Sequence, residues 1–112
     1  MVQYQPQVVD RTFAALGDPT RRGILERLGR GNATISELAE PFGMSLTGCK
    51  KHVRILEDAG LVSTRKVGRV RECALGPRRL EDVQDWINGY RQQLADRFDR
   101  LDDFLSTQGE PG

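Results

Sequence analysis

Apolar positions recur at helix spacing along most of this chain, broken near the middle by two short β-type runs. Val8, Val9, Phe13 and Leu16, with Thr12 on the same side, predict a first helix over 8–16. Gly17 and Asp18 end that pattern. Asp18 is a good N-cap and Pro19 suits the first position of a second helix, 19–28, with Ile24, Leu25 and Leu28 facing inward. Gly29-Arg30-Gly31-Asn32 stops it. A third helix is expected to start at Ser36, bury Leu38 and Ala39 and close near Pro41. Phe42-Gly43-Met44 then makes a tight turn. Ser45 caps a fourth helix that reaches Asp58 or Ala59, with Gly60 as its left-handed C-cap residue. Its Leu46, Cys49, Val53 and Leu56 form one apolar stripe. Leu61–Lys66 and Val70–Leu75 are the two strands, joined through Val67-Gly68-Arg69, and Gly76-Pro77 ends the hairpin. A last helix is predicted from near Arg78 to Leu105, followed by a frayed tail from Ser106. It carries Leu80, Val83, Ile87, Tyr90, Leu94, Phe98, Leu101 and Leu105 in a heptad-like seam.

These elements predict a mainly α fold with a small β-hairpin, in the order of a winged helix-turn-helix. One domain spans 1–112, with the helix-turn-helix over 35–59 and the wing over 61–76. The last helix would span about 40 Å. That length exceeds what so small a domain can cover, so Val83, Ile87, Tyr90, Leu94, Phe98 and Leu101 are expected to pack on a second copy of the chain. Trp86 and Tyr90 fit core packing better than an effector pocket, because they lie at helix spacing.

Charge sharpens the picture. The formal net charge is +1, yet residues 50–79 carry nine basic and three acidic side chains, while residues 80–112 carry three basic and eight acidic ones. Phosphate contacts depend on local charge. On the fourth helix Thr47, Gly48, Lys50, Lys51 and Arg54 fall off the apolar stripe, giving a basic, small-residue face suited to the major groove. Thr47, Gly48 and Lys50, behind Ser45 at the start of that helix, are expected nearest the base edges, with Lys51 and Arg54 on phosphates or guanine edges. Lys66, Arg69 and Arg71 are expected to place the wing on phosphates or in the minor groove. A solvated helix face and a charged strand edge are the plainer readings of these groups. The order of helix, turn, basic helix and basic hairpin favours double-stranded DNA. Arg21 and Arg22 are weaker candidates for the same contact.

Three runs together resemble the ArsR family of bacterial winged-helix repressors: Ala15-Leu16-Gly17-Asp18-Pro19-Thr20-Arg21-Arg22-Gly23-Ile24-Leu25, Met44-Ser45, and Lys51-His52-Val53-Arg54-Ile55-Leu56-Glu57-Asp58-Ala59-Gly60-Leu61-Val62. Gly68-Arg69 matches the wing tip, and Trp86, Tyr90-Arg91 and Arg97-Phe98-Asp99-Arg100-Leu101 look like the last helix of a branch without metal sites. The likeness covers residues 10–105, about nine-tenths of the chain. It implies a homodimer formed through the first and last helices, over 8–16 and 79–105, which adds Val9 and Phe13 to the interface. It also implies repression from an inverted repeat in a promoter. The chain departs from the family pattern at Lys50, often Ser; at Cys49, commonly Val; and at Cys73, commonly aromatic. Lys50 bears on the operator sequence rather than on the mode of binding.

Other chemistries find little footing. The segment Ala33–Glu40 has no Cys and the last helix has no His, so the family's thiolate and zinc sites lack their ligands. Neither a metal nor a cofactor is expected, and an effector is not legible. His52, the one histidine, is expected to pack or hydrogen-bond. Cys49 belongs to an apolar stripe and Cys73 is expected half buried. Packing therefore outweighs a redox pair, although Lys50 and Arg71 would favour thiolates. No nucleophile is paired with an evident base, so an enzyme is not expected. The polar start of the chain and the lack of an apolar run of about 18 residues point to a cytoplasmic protein with reduced thiols and no membrane partner. The alternative to DNA binding is a winged-helix module that dimerises and docks a protein through its acidic last third. A protein-docking helix would expose apolar anchors rather than lysines.

Overall fold

The computed structural model describes residues 6–78 and 80–109. Helices α1 (Pro6–Leu16) and α2 (Pro19–Leu28) meet at a corner where the Asp18 side chain accepts from the Arg21 N–H at 3.0 Å, with Pro19 in the first turn. Strand β1 (Ala33–Thr34), helix α3 (Ile35–Ala39), a 3-10 turn (Glu40–Phe42) and helix α4 (Leu46–Asp58) follow. Strands β2 (Val62–Val67) and β3 (Val70–Leu75) make the wing, and α5 (Glu81–Gly109) ends the described chain.

The predicted winged helix-turn-helix order is therefore present; α1 begins at Pro6 rather than at residue 8, and four further corrections follow. The hairpin is part of a three-stranded antiparallel sheet in the order β1-β3-β2, because Ala33 and Thr34 pair with Cys73 and Glu72. Helix α3 begins at Ile35 rather than Ser36. Thr34 caps it in a reciprocal box with Glu37, whose side chain accepts from the Thr34 N–H. The link from β2 to β3 is two residues, Gly68-Arg69, not three. Lastly, α5 starts at Glu81 and continues to Gly109, past the expected fraying at Ser106. Leu80 lies outside it at φ 71°, where its carbonyl accepts the first helical bond from Gln84. The expected helix start at Arg79 lies outside the described residues.

The core gathers Ile24, Leu28, Leu38, Cys49, Val53, Leu56, Leu61, Val62 and Cys73, one cluster shared by α2, α3, α4 and the sheet. Cys73 is fully buried, against the half-burial expected of it. Leu46 leaves the stripe it was assigned to: it is 50% exposed, because the first turn of α4 extends beyond the core. Helix α4 ends as Gly60 was expected to make it end. Gly60 (φ 77°) donates to the Glu57 carbonyl and Leu61 donates to that of Leu56, while Leu56 and Leu61 are both buried.

The wing is clasped to that end. Gly76 donates to the Leu61 carbonyl and Arg78 to that of Gly60. A Cβ on Gly76 would sit 2.4 Å from the Gly60 oxygen and 2.8 Å from the Val62 nitrogen. Backbone would have to move, so Gly76→Ala is expected to cost about 1–3 kcal/mol. Gly60→Ala meets the Arg78 side chain at 3.1 Å rather than backbone, in addition to its left-handed φ, and is expected to cost about 1–2 kcal/mol. Thermal unfolding of the two variants checks the order.

Acid should loosen the helix starts. Backbone donation from Arg21 holds the Asp18 carboxyl below its ordinary value, and the Thr34 backbone N–H does the same for Glu37. Groups depressed on folding stabilise fully above their unfolded values of about 4 and lose that contribution as pH falls through the folded ones. Unfolding free energy should therefore be flat near neutrality and decline below about pH 4–5. Glu37→Gln should make that decline shallower in urea titrations.

Candidate nucleic-acid interface

Helix α4 is fixed from three sides, which decides the face it presents. Its inner side buries Cys49, Val53 and Leu56, and the Cys49 Sγ donates to the Ile35 carbonyl at 3.6 Å. Toward the helical corner, His52 Nδ1 meets Arg21 Nη1 at 3.2 Å. Guanidinium only donates, so Nδ1 is the acceptor there. Asp18 Oδ2 stands 3.9 Å from the same nitrogen. Toward the wing, Glu57 accepts from the Thr64 hydroxyl at 2.8 Å.

Arg21 and Arg22, the weaker candidates for a DNA contact, are engaged within the protein. Arg21 donates through Nε to the Ala15 carbonyl at 2.8 Å and through Nη2 to that of Ala14 at 3.0 Å, and Arg22 donates to Leu16 at 2.7 Å. Both cap the last carbonyls of α1, groups a helix leaves unsatisfied. His52 hydrogen-bonds, as its reading anticipated.

The outer side of α4 carries Thr47, Lys51 and Arg54, all exposed, with Ser45 at its head accepting from the Gly48 N–H at 3.0 Å. Lys50 is exposed beside them. It lines a cleft of about 310 Å³ between the start of α4 and the wing, together with Leu46 and Ser36. Lys66, Arg69 and Arg71 close the cleft from the other side. The two-residue turn puts Lys66 directly across from Arg71 and Arg65 across from Glu72. Arg65 and Glu72 form an ion pair at 3.2 Å, and Arg71 donates to the Thr64 hydroxyl at 2.9 Å. Among the described residues Lys50, Lys51, Arg54, Lys66 and Arg69 have no hydrogen bond or ion pair from their side chains. The sequence reading missed Ser36 and the Glu57–Thr64–Arg71 relay. The cross-strand relations follow from turn length, which a two-residue Gly68-Arg69 turn would have supplied.

The expected dimer surface divides. Val9 and Val83 are 4% and 6% exposed within one protomer, so they are already covered and have little to offer a partner. Phe13 packs edge-on against Trp86, which stacks on Tyr90. Ile87, Tyr90, Phe98 and Leu101 remain exposed and Leu94 half-buried, with Phe104 and Leu105 extending the apolar surface.

A basic helix and wing joined by a three-stranded sheet define a winged helix-turn-helix protein. A helix-turn-helix domain model matches residues 16–65. The transcriptional repressor SdpR of Bacillus subtilis is 33% identical over 79 residues, 70% of this chain and 88% of that protein. The HTH-type transcriptional regulator Rv2034 of Mycobacterium tuberculosis is 39% identical over 93 residues, 76% and 87% of the two. A crystallised ArsR family transcriptional regulator superposes with a TM-score of 0.69 at 42% identity, covering 88% of this chain and 97% of that one. The homodimeric winged helix-turn-helix DNA-binding domain of a possible ArsR-family regulator from Mycobacterium bovis gives 0.60 at 29% identity, covering 80% of each chain. The chain belongs to the ArsR family of winged helix-turn-helix transcriptional regulators.

Among the described residues no group of three or more His, Cys, Asp or Glu is placed to hold a metal ion, and no helix is long and apolar enough to cross a membrane. The two free thiols are fully buried, and burial pushes Cys73 up to about 11 and raises Cys49. Both are therefore protonated and shielded near neutrality, which disfavours thiolate chemistry. Ellman's reagent should react with neither in the folded protein and with both in denaturant. Fast reaction of one native thiol would restore the redox reading.

Proposed function

We propose that the chain acts in the cytoplasm as a homodimeric repressor that occupies an inverted-repeat operator in double-stranded DNA. The observation that carries this reading is the set of five cations, Lys50, Lys51, Arg54, Lys66 and Arg69, gathered on α4 and the wing with no partner among the described residues. Cations without protein partners are available to displace counterions from DNA. The naming of SdpR as a repressor and the homodimeric Mycobacterium bovis domain support the same direction. Phe13, Ile87, Tyr90, Leu94, Phe98 and Leu101 would form the subunit interface. Two-fold symmetry would then present two copies of α4 about one DNA turn apart.

Selection from a random duplex pool tests this. An inverted repeat should be enriched, bound about 10³-fold or more over scrambled DNA, with a steep salt dependence. Phe98→Asp combined with Leu101→Asp should yield a monomer whose winged domain stays folded and whose operator binding is weakened. A wild-type chain that ignores DNA at low salt would instead favour a protein partner.

A further inference from the structure

Lys66 and Arg71 stand directly opposite each other in the β2–β3 register, and both line the cleft shared with Lys50. Like charges paired across strands destabilise a sheet. The two nearby carboxylates do not relieve them: Glu72 pairs with Arg65, and Glu57 accepts from Thr64. The relay through Thr64 holds Arg71 by one of its five donors and leaves the rest of the guanidinium free. Arg69 closes the outer end of the cleft and Ser36 adds a hydroxyl to its inner wall. Four cations therefore surround one solvent-open groove in which, among the described residues, no acid pairs with them.

We propose that this cleft between α4 and the wing is a channel for one sugar-phosphate strand of the DNA, and that Lys50 is a phosphate ligand within it rather than a base reader. The inference rests on the DNA-binding reading and deepens it. A helix inserted into the major groove is flanked by the two strands that bound the groove. The flank of α4 that carries Leu46 and Lys50 faces the wing, so the strand on that side must pass between them. Phosphate oxygens entering the cleft supply the missing counter-charge to Lys50, Lys66, Arg69 and Arg71. Sequence readout is thereby left to the outward side chains of Thr47, Lys51 and Arg54, which lie off the cleft.

Lys50→Gln and Arg54→Gln are to be compared with wild type on the selected duplex and on a scrambled one, across a salt series. Both positions are exposed, so both variants should fold; circular dichroism confirms it. For Lys50→Gln, affinity is expected to fall by a similar factor on both duplexes. The log–log salt slope is expected to shrink by nearly one unit per protomer. Arg54→Gln should instead reduce the preference for the selected duplex. If Lys50→Gln lowers that preference and leaves the slope unchanged, Lys50 reads bases and the channel is wrong. An unchanged affinity and slope overturn it equally. Wild-type protein without salt-sensitive DNA affinity would overturn the DNA-binding reading itself, and the channel with it. Inorganic phosphate that displaces DNA more strongly than chloride at matched ionic strength would show a site for free phosphate instead of a strand, and would count against the proposal.

Discussion

The arrangement of the reading head depends on one guanidinium. Arg21 donates to the carbonyls of Ala14 and Ala15 at the end of α1 and meets His52 on α4, while its backbone N–H is held by Asp18 at the start of α2. Three helices are thus tied at one residue by hydrogen bonds that are directional, unlike the apolar contacts beneath them. The corner contact adds to the packing of Cys49, Val53 and Leu56 and to the Glu57–Thr64 bond in holding α4. It also ties α1, which carries Phe13 toward α5, to the helix whose outer face holds Thr47, Lys51 and Arg54.

The second constraint is the length of the wing turn. A two-residue link fixes the register, and a slip by one residue would exchange the faces of every side chain in the hairpin. As built, Thr64, Lys66, Arg71 and Cys73 share the face turned toward α3 and α4, so the same face buries Cys73 near its base and presents cations near its tip. The other face carries the Arg65–Glu72 pair, an exposed contact worth little to stability. Its effect is to hold Glu72 on Arg65 and away from Lys66 and Arg71. Fold stability and surface charge are therefore set by the same choice of Gly68-Arg69.

What the sequence made legible was local. Ser45, Gly60, Asp18 and Pro19 each act within a turn of their own position, and the helix boundaries they predict are the ones found. Features that depend on distant partners were not legible. The two residues of β1 have no periodicity and become a strand only because β3 lies beside them. Leu80 is spaced like a helical residue, yet it sits at φ 71°, a conformation no pattern of apolar positions reports. Leu46 matched the stripe by spacing and is exposed because the core ends before it. For the candidate interface, residue type and order picked out Lys50, Lys51, Arg54, Lys66 and Arg69, which have no side-chain partner among the described residues. The division between Lys50, which faces the wing, and Lys51 and Arg54, which do not, needed the third dimension.

The last helix connects these local facts to assembly. After Val83 its apolar side chains are largely exposed, with Phe98 and Phe104 each at 59%. A solitary amphipathic helix is marginal in water, because most helical stability in proteins comes from packing of its apolar face. Trp86 meets Phe13 and Tyr90 stacks on Trp86, but beyond them the apolar side chains up to Leu105 are largely exposed, a surface that a second copy of the seam would cover. Under the proposed dimer, folding of that segment and subunit association become one equilibrium, and stability depends on protein concentration. The same coupling bears on DNA. A monomer would present one α4 and one wing, with half the phosphate contacts and a correspondingly shallow salt dependence. The dimer doubles both the counterions released and the base edges read. Specific binding would then be sensitive to protein concentration through the seam of α5.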